Sequence, residues 1–150
     1  MKTRQRRHKR HIKTKKRRGG STNFLVEYPT AAKCKTKEEV AVEPKIRGKI
    51  STTPLTLIMR DPDAPDSKPN SYLHWLVPGI TNLNKLPPAA IQYTGPNPPP
   101  GSGKHRYIFE IYEGVPTSIP TGRSNFNPNQ IGLIGKPIYT YCFEVMAAGL

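Results

Sequence analysis

Past its first eighteen residues, the chain concentrates its chemistry in one stretch of sequence. Its only three aspartates fall within Asp61-Pro62-Asp63-Ala64-Pro65-Asp66, and the only two histidines beyond residue 11 are His74 and His105. Tyr107 follows His105 at a spacing of two, which puts both side chains on one face of an extended strand. A carboxylate beside an imidazole stabilises the charged ring and fixes which ring nitrogen donates. With a phenol added, the set suits binding of a phosphate or carboxylate near neutral pH. Chance grouping at strand ends is the alternative reading. A hydrolase using Asp61, His74 and His105, or a metal site from the same residues, is the weaker one, because neither a nucleophile elbow nor close ligand spacing is present. We therefore expect no catalytic residues, no metal and no cofactor.

The elements that must position these residues are short. Seventeen prolines and twelve glycines break the apolar residues into brief runs, which disfavours long helices and points to β structure. Candidate strands are residues 23–28, 39–42, 55–59, 74–77, 106–112 and 138–145, the fourth ended by Pro78-Gly79. The run Leu55-Thr56-Leu57-Ile58-Met59 suits a strand buried on both faces, and it delivers Asp61 to a strand end. Trp75 is expected to face away from His74 into the core. Only residues 125–133 leave room for a short helix.

One core of ordinary size fits 150 residues. The net charge of +14 is local: residues 1–18 carry 11 of the 24 Lys and Arg and no acid. The rest of the chain carries 13 basic against 10 acidic residues. Residues 1–21 are accordingly expected to be a disordered basic tail, with a β domain over 22–150. Such a tail would bind nucleic acid or an anionic membrane surface without reading sequence, or act as a nuclear address. Neither a bilayer-length apolar run nor the apolar core of a secretory signal is present, so a cytoplasmic or nuclear monomer is expected. Cys34 and Cys142 read as free thiols, the second of them buried.

Asp61-Pro62-Asp63-Ala64-Pro65, His74-Trp75-Leu76-Val77, Tyr93-Thr94-Gly95-Pro96 and the run from Pro98-Pro99-Pro100-Gly101 through Gly103-Lys104-His105-Arg106-Tyr107 together resemble the phosphatidylethanolamine-binding protein signature in order and spacing. The resemblance is dense over residues 55–112. It implies a mainly β, Greek-key β-sandwich with at most short helices. It also implies that Asp61, His74, His105 and Tyr107 line a small anion pocket, with Tyr72, Pro62 and Gly95 beside it. Phosphate-type ligands, including a phosphoethanolamine head group, are the ligands so implied, and some members inhibit kinases or proteases. In that frame imidazole N–H and phenol O–H donate to an oxyanion, while Asp61 orients a histidine or meets an ammonium group. Asp63 is expected to cap its own turn, and Arg106 to brace the Asp-Pro-Asp loop. The sequence ends at Leu150 without the C-terminal helix that partly covers the pocket of longer relatives, so a more open site is expected.

Overall fold

A computed structural model of the chain describes residues 24–149; the basic segment and its boundary at residue 21 lie outside the described residues. The fold is mainly β, as expected, with seven strands among the described residues: β1 (Leu25–Glu27), β2 (Cys34–Lys35), β3 (Lys45–Arg47), β4 (Leu55–Asp61), β5 (Tyr72–Ile80), β6 (Lys104–Glu113) and β7 (Tyr139–Met146). Two 3-10 turns, Pro65–Ser67 and Pro128–Ile131, are the helical elements among the described residues, the second inside the span that had room for a helix. Strands β1 and β3 form a small antiparallel sheet, while the larger sheet runs β2-β7-β6-β4-β5 and is antiparallel except for the β2–β7 pair.

Apolar side chains leave both faces of the large sheet. One face packs Leu57, Met59, Trp75, Phe109 and Phe143 against Val26 and Ile46 of the small sheet. The other packs Ile58, Leu73, Leu76 and Tyr112 under Phe126, Ile131 and Leu133 from the segment after β6. Strand β4 is thereby buried on both sides, which its unbroken apolar run requires. Each fully buried side chain of this kind contributes about 1.5 to 3 kcal/mol over leaving it in water.

Two interruptions in the β4–β5 register depart from simple alternation. Leu57 pairs with Val77 but Leu55 with Ile80, so Pro78 and Gly79 face the single residue Thr56. This bulge lets the strand pass through a Pro-Gly pair expected to stop it, with Gly79 taking a φ of 72° that a side chain would resist. Likewise Met59 pairs with Trp75 and Arg60 with Leu73, leaving His74 as the extra residue. Leu73 and Trp75 consequently enter different core clusters. His74 packs edge-on against Tyr107, and Trp75 edge-on against Phe109, at centroid distances of 5.2 and 6.4 Å. Tyr107 and Phe109 share a face of β6, so His74 and Trp75 do not point to opposite sides as strict alternation required.

Residues 39–42 are not a strand. They form a turn whose Val40 is fully buried and plugs the inner core. Tyr93 Oη donates to Val40 O at 2.6 Å, and Tyr28 Oη then donates to Tyr93 Oη at 2.8 Å. Burial pushes the Tyr93 hydroxyl up to about 12, so it stays a donor throughout the physiological range. The short strands β2 and β3 carry too little periodicity to be read from sequence. Lys35 of β2 is held by its ammonium, which donates to Thr30 O and Ala32 O and lies over the Tyr28 and Phe143 rings. Cys34 and Cys142 are both free, and Cys142 is half-buried rather than fully enclosed.

Gly95 is the close contact that docks the Tyr93 segment on this turn. A Cβ there would stand 3.1 Å from both Ala41 Cα and Val40 O, and backbone has nowhere to yield. Gly95→Ala is expected to destabilise the fold by about 1 to 3 kcal/mol. Equilibrium urea unfolding would show this as a lower midpoint at unchanged slope.

Candidate functional site

The site is assembled from the end of β4, the bulged start of β5, the beginning of β6 and the loop before it. Asp61, the last residue of β4, is almost completely buried and uses both carboxylate oxygens. Oδ1 accepts the Asp63 backbone N–H at 2.7 Å, closing the Asp-Pro-Asp turn, and Oδ2 accepts His105 Nδ1–H at 2.7 Å. The turn-capping role expected of Asp63 therefore falls to Asp61. Asp63 instead accepts from the Arg106 backbone N–H at 2.8 Å and from its guanidinium at 3.0 Å to each oxygen. The guanidinium beside Asp63 holds its carboxyl below the usual range, and Arg106 braces the loop as its outward alternation on β6 required.

His105 is enclosed behind Asp61, with 1% of its surface exposed. Its Nε2 lies 2.8 Å from Ser102 Oγ, which in turn lies 2.5 Å from Pro99 O. Two oxygens at that separation need a proton between them, so the Ser102 hydroxyl donates to Pro99 O. The ring is thus held between the Asp61 carboxylate and Ser102 Oγ.

The open side of Asp61 faces a cavity of about 320 Å³. Of the residues expected in a pocket, Asp61, His74, Tyr107, Tyr72 and Gly95 line it. His105 and Pro62 do not. His105 is screened by Asp61 and the Ser102 loop. The Asp-Pro-Asp turn points Pro62 outward, so it lines a neighbouring cavity with Arg60 and Glu110, and its carbonyl accepts from Lys68 Nζ. Pro98 and Pro99 form part of the wall, as the proline-rich run led us to expect.

His74 donates from Nδ1 to Thr94 O at 2.8 Å, a partner that is an acceptor only. The ring edge carrying Nε2 is the part left for a bound group. Burial pulls the His74 pKa below its ordinary 6.5 and outweighs the opposing effects of Thr94 O and the Asp61 charge; nearby Arg123 and His105 also lower it. At neutral pH the ring is thus the Nδ1–H tautomer. Tyr72 packs edge-on against His74 at 5.0 Å, and burial followed by the Asp61 charge raises the Tyr107 hydroxyl far above its usual range, so Tyr107 remains a donor. No Lys or Arg lines the cavity among the described residues; its ionisable lining is Asp61, Asp66, His74 and the two tyrosines.

Sequence reasoning missed Arg123, Ser102 and Ser67. Arg123 reaches in from the segment after β6 and donates to Leu73 O, His74 O and Gln92 O at 3.2, 3.1 and 2.8 Å. It ties the bulge to the strip that carries Thr94. The Arg123 contacts leave no periodic or motif signal, because each joins its side chain to a carbonyl distant in the chain.

Comparison with known proteins bears on the family and the fold. A family model for phosphatidylethanolamine-binding protein matches residues 21–136. The rice protein named MOTHER of FT and TFL1 homolog 2 (Oryza sativa subsp. japonica) is 39% identical over 84 residues, covering 48% of this chain and 47% of that one. The chain thus spans about half the length of that curated relative. Among solved structures, the carboxypeptidase Y inhibitor in complex with its cognate proteinase superposes with a TM-score of 0.64 at 20% identity, over 83% of this chain and 82% of that one. The phosphatidylethanolamine-binding protein from Plasmodium vivax gives 0.62 at 18% identity, over 85% of each. The structural likenesses speak for the fold, and the match over residues 21–136 for the family: this chain belongs to the phosphatidylethanolamine-binding protein family.

Proposed function

We propose that this protein is a non-catalytic binding or regulatory module whose cavity takes a small phosphate-type group, as a phosphoethanolamine head group or on a phosphorylated partner. One observation carries the reading: His74, with Nδ1 committed to Thr94 O, lines one cavity together with Tyr72, Tyr107 and the buried Asp61 carboxylate. Hydrogen-bond donors of this kind recognise oxyanion oxygens, and the carboxylate suits an accompanying ammonium. A kinase or protease partner would be one presenting such a group, and the protein would act as a monomer in the cytoplasm or nucleus. Asp61, His105 and Ser102 do fall in line in the manner of a hydrolytic triad. The Ser102 proton, however, is committed to Pro99 O, so the serine is not poised to give it to His105, and this weighs against hydrolysis.

Because His74 is held neutral with its proton on Nδ1, it can donate to an oxyanion from Nε2 only after taking up a second proton. Binding therefore raises its pKa, and affinity should strengthen as pH falls from 7.5 through 6.5, levelling off below the lowered pKa of the free protein. Titrating phosphoethanolamine and inorganic phosphate by NMR at several pH values tests this through the His74 ring signals. An unresponsive ring would remove the reading.

His105 has a different role in this reading, as the hydrogen-bond partner that holds the Asp61 carboxylate at the cavity floor. His105→Ala leaves a buried carboxylate without it and is expected to lower stability by about 3 to 5 kcal/mol in urea unfolding. Wild-type stability in that variant would mean that Asp61 needs no partner.

A second reading coexists with the first and rests on the 11 cations and absent acids of residues 1–18. We propose that this segment binds polyanions, either nucleic acid or an anionic membrane surface. Deleting residues 1–20 should remove most binding to DNA, RNA and anionic vesicles at low salt. Full-length affinity should fall linearly in log–log form as salt rises. Equal, salt-insensitive binding by the shortened chain would move polyanion recognition into the β domain.

A further inference from the structure

Ser67 stands out among the described residues. It closes the 3-10 turn Pro65–Ser67 behind the Asp-Pro-Asp loop and has no exposed surface. Its Oγ is the one buried side-chain polar atom among the described residues without a hydrogen-bond partner. Its backbone is anchored by the N–H donated to Ala64 O at 3.1 Å, so the position of the side chain is set by the turn. It also forms part of the cavity wall that holds Asp61, Tyr72, His74 and Tyr107.

A buried hydroxyl without a partner is destabilising, and native proteins rarely keep one that has no use. Alanine would fill this place with almost the same volume and no polar atom. Asp61 and Asp66 line the same cavity, and neither accepts from the Ser67 hydroxyl. The turn thus leaves the hydroxyl uncommitted in the lining of a cavity that has no Lys or Arg to meet an anion.

We propose that Ser67 is a ligand-contacting residue, its hydroxyl donating to an oxygen of a phosphate-type group. The proposal rests on the reading of the cavity given above and adds to it a neutral donor from the turn that follows the Asp-Pro-Asp loop. The group recognised is the phosphate itself, whether free or carried by a lipid head group. Ser67 should therefore act equally on both.

The test is a calorimetric titration of inorganic phosphate and of phosphoethanolamine into wild type, Ser67→Ala and Tyr107→Phe, with melting temperatures measured in parallel. Ser67→Ala is expected to weaken both ligands roughly tenfold to a hundredfold, the usual effect of losing a hydrogen bond to a charged group. Its melting temperature should be unchanged or higher, since an unsatisfied polar atom is removed. Unchanged affinity in Ser67→Ala alongside a loss in Tyr107→Phe would overturn the Ser67 role and leave the cavity reading standing. A loss confined to phosphoethanolamine would put Ser67 on the amine and also overturn it. Absence of binding in wild type would overturn the proposal together with the reading beneath it. Should Ser67→Ala not fold, Ser67→Cys, which keeps the volume with a much weaker donor, is titrated in the same way against the same expectation.

Discussion

The buried pair of Asp61 and His105 is the interaction on which the rest of the site depends. A carboxylate and an imidazole removed from water are tolerated only when paired and with their remaining hydrogen-bonding positions filled. Here those positions are filled from the surrounding chain: Asp63 N–H closes on Asp61, and Ser102 Oγ meets His105 Nε2 and donates to Pro99 O. The chain of bonds joins the Asp-Pro-Asp turn to the proline-rich wall through the interior. Outside it, Arg106 and Asp63 fasten the same turn to β6 at the surface.

The remaining side of the cavity depends on the irregularity in β5. A regular strand would send His74 and Trp75 to opposite faces. The extra residue at His74 turns both toward the aromatic layer of Tyr107, Phe109 and Phe143. Bulges are a common means of re-aiming a side chain beside a site, and this one is held by Thr94 O on the ring and by Arg123 on the carbonyls either side. The aromatic layer supplies the rigidity, with Tyr107 and Phe143 stacked at 5.4 Å beneath the cavity.

Charge is distributed unevenly between the parts of the molecule. The cavity is lined by carboxylates and hydroxyls, the body is close to balanced, and most of the excess positive charge lies in the first eighteen residues. A strongly basic sequence can therefore carry a cavity whose lining contains no lysine or arginine. Net charge bears on polyanion association at long range, while the cavity is governed by hydrogen-bond direction and desolvation at short range.

Much of this was legible from sequence because it depends on local rules. Short apolar runs between prolines and glycines read as strands, and the two-residue spacing of His105 and Tyr107 placed them on one face of β6. The outward alternation of Arg106 put it on the Asp-Pro-Asp loop, and the family resemblance covers most of the residues that line the cavity. What escaped depends on partners distant in the chain. A bulge needs two strands, so neither the turn of His74 nor the passage of β5 through Pro78-Gly79 could be seen in one. Residues 39–42 look like a strand but serve as a core plug, because Tyr93 and Gly95 claim their backbone from far along the sequence. The withdrawal of His105 behind Asp61 and the uncommitted hydroxyl of Ser67 likewise follow from burial and hydrogen-bond geometry. The sequence by itself determined which residue types were available and on which strand faces they lay; only the tertiary structure decided which of their polar atoms were spent on each other and which were left facing the cavity, since that depends on distances that no local pattern encodes.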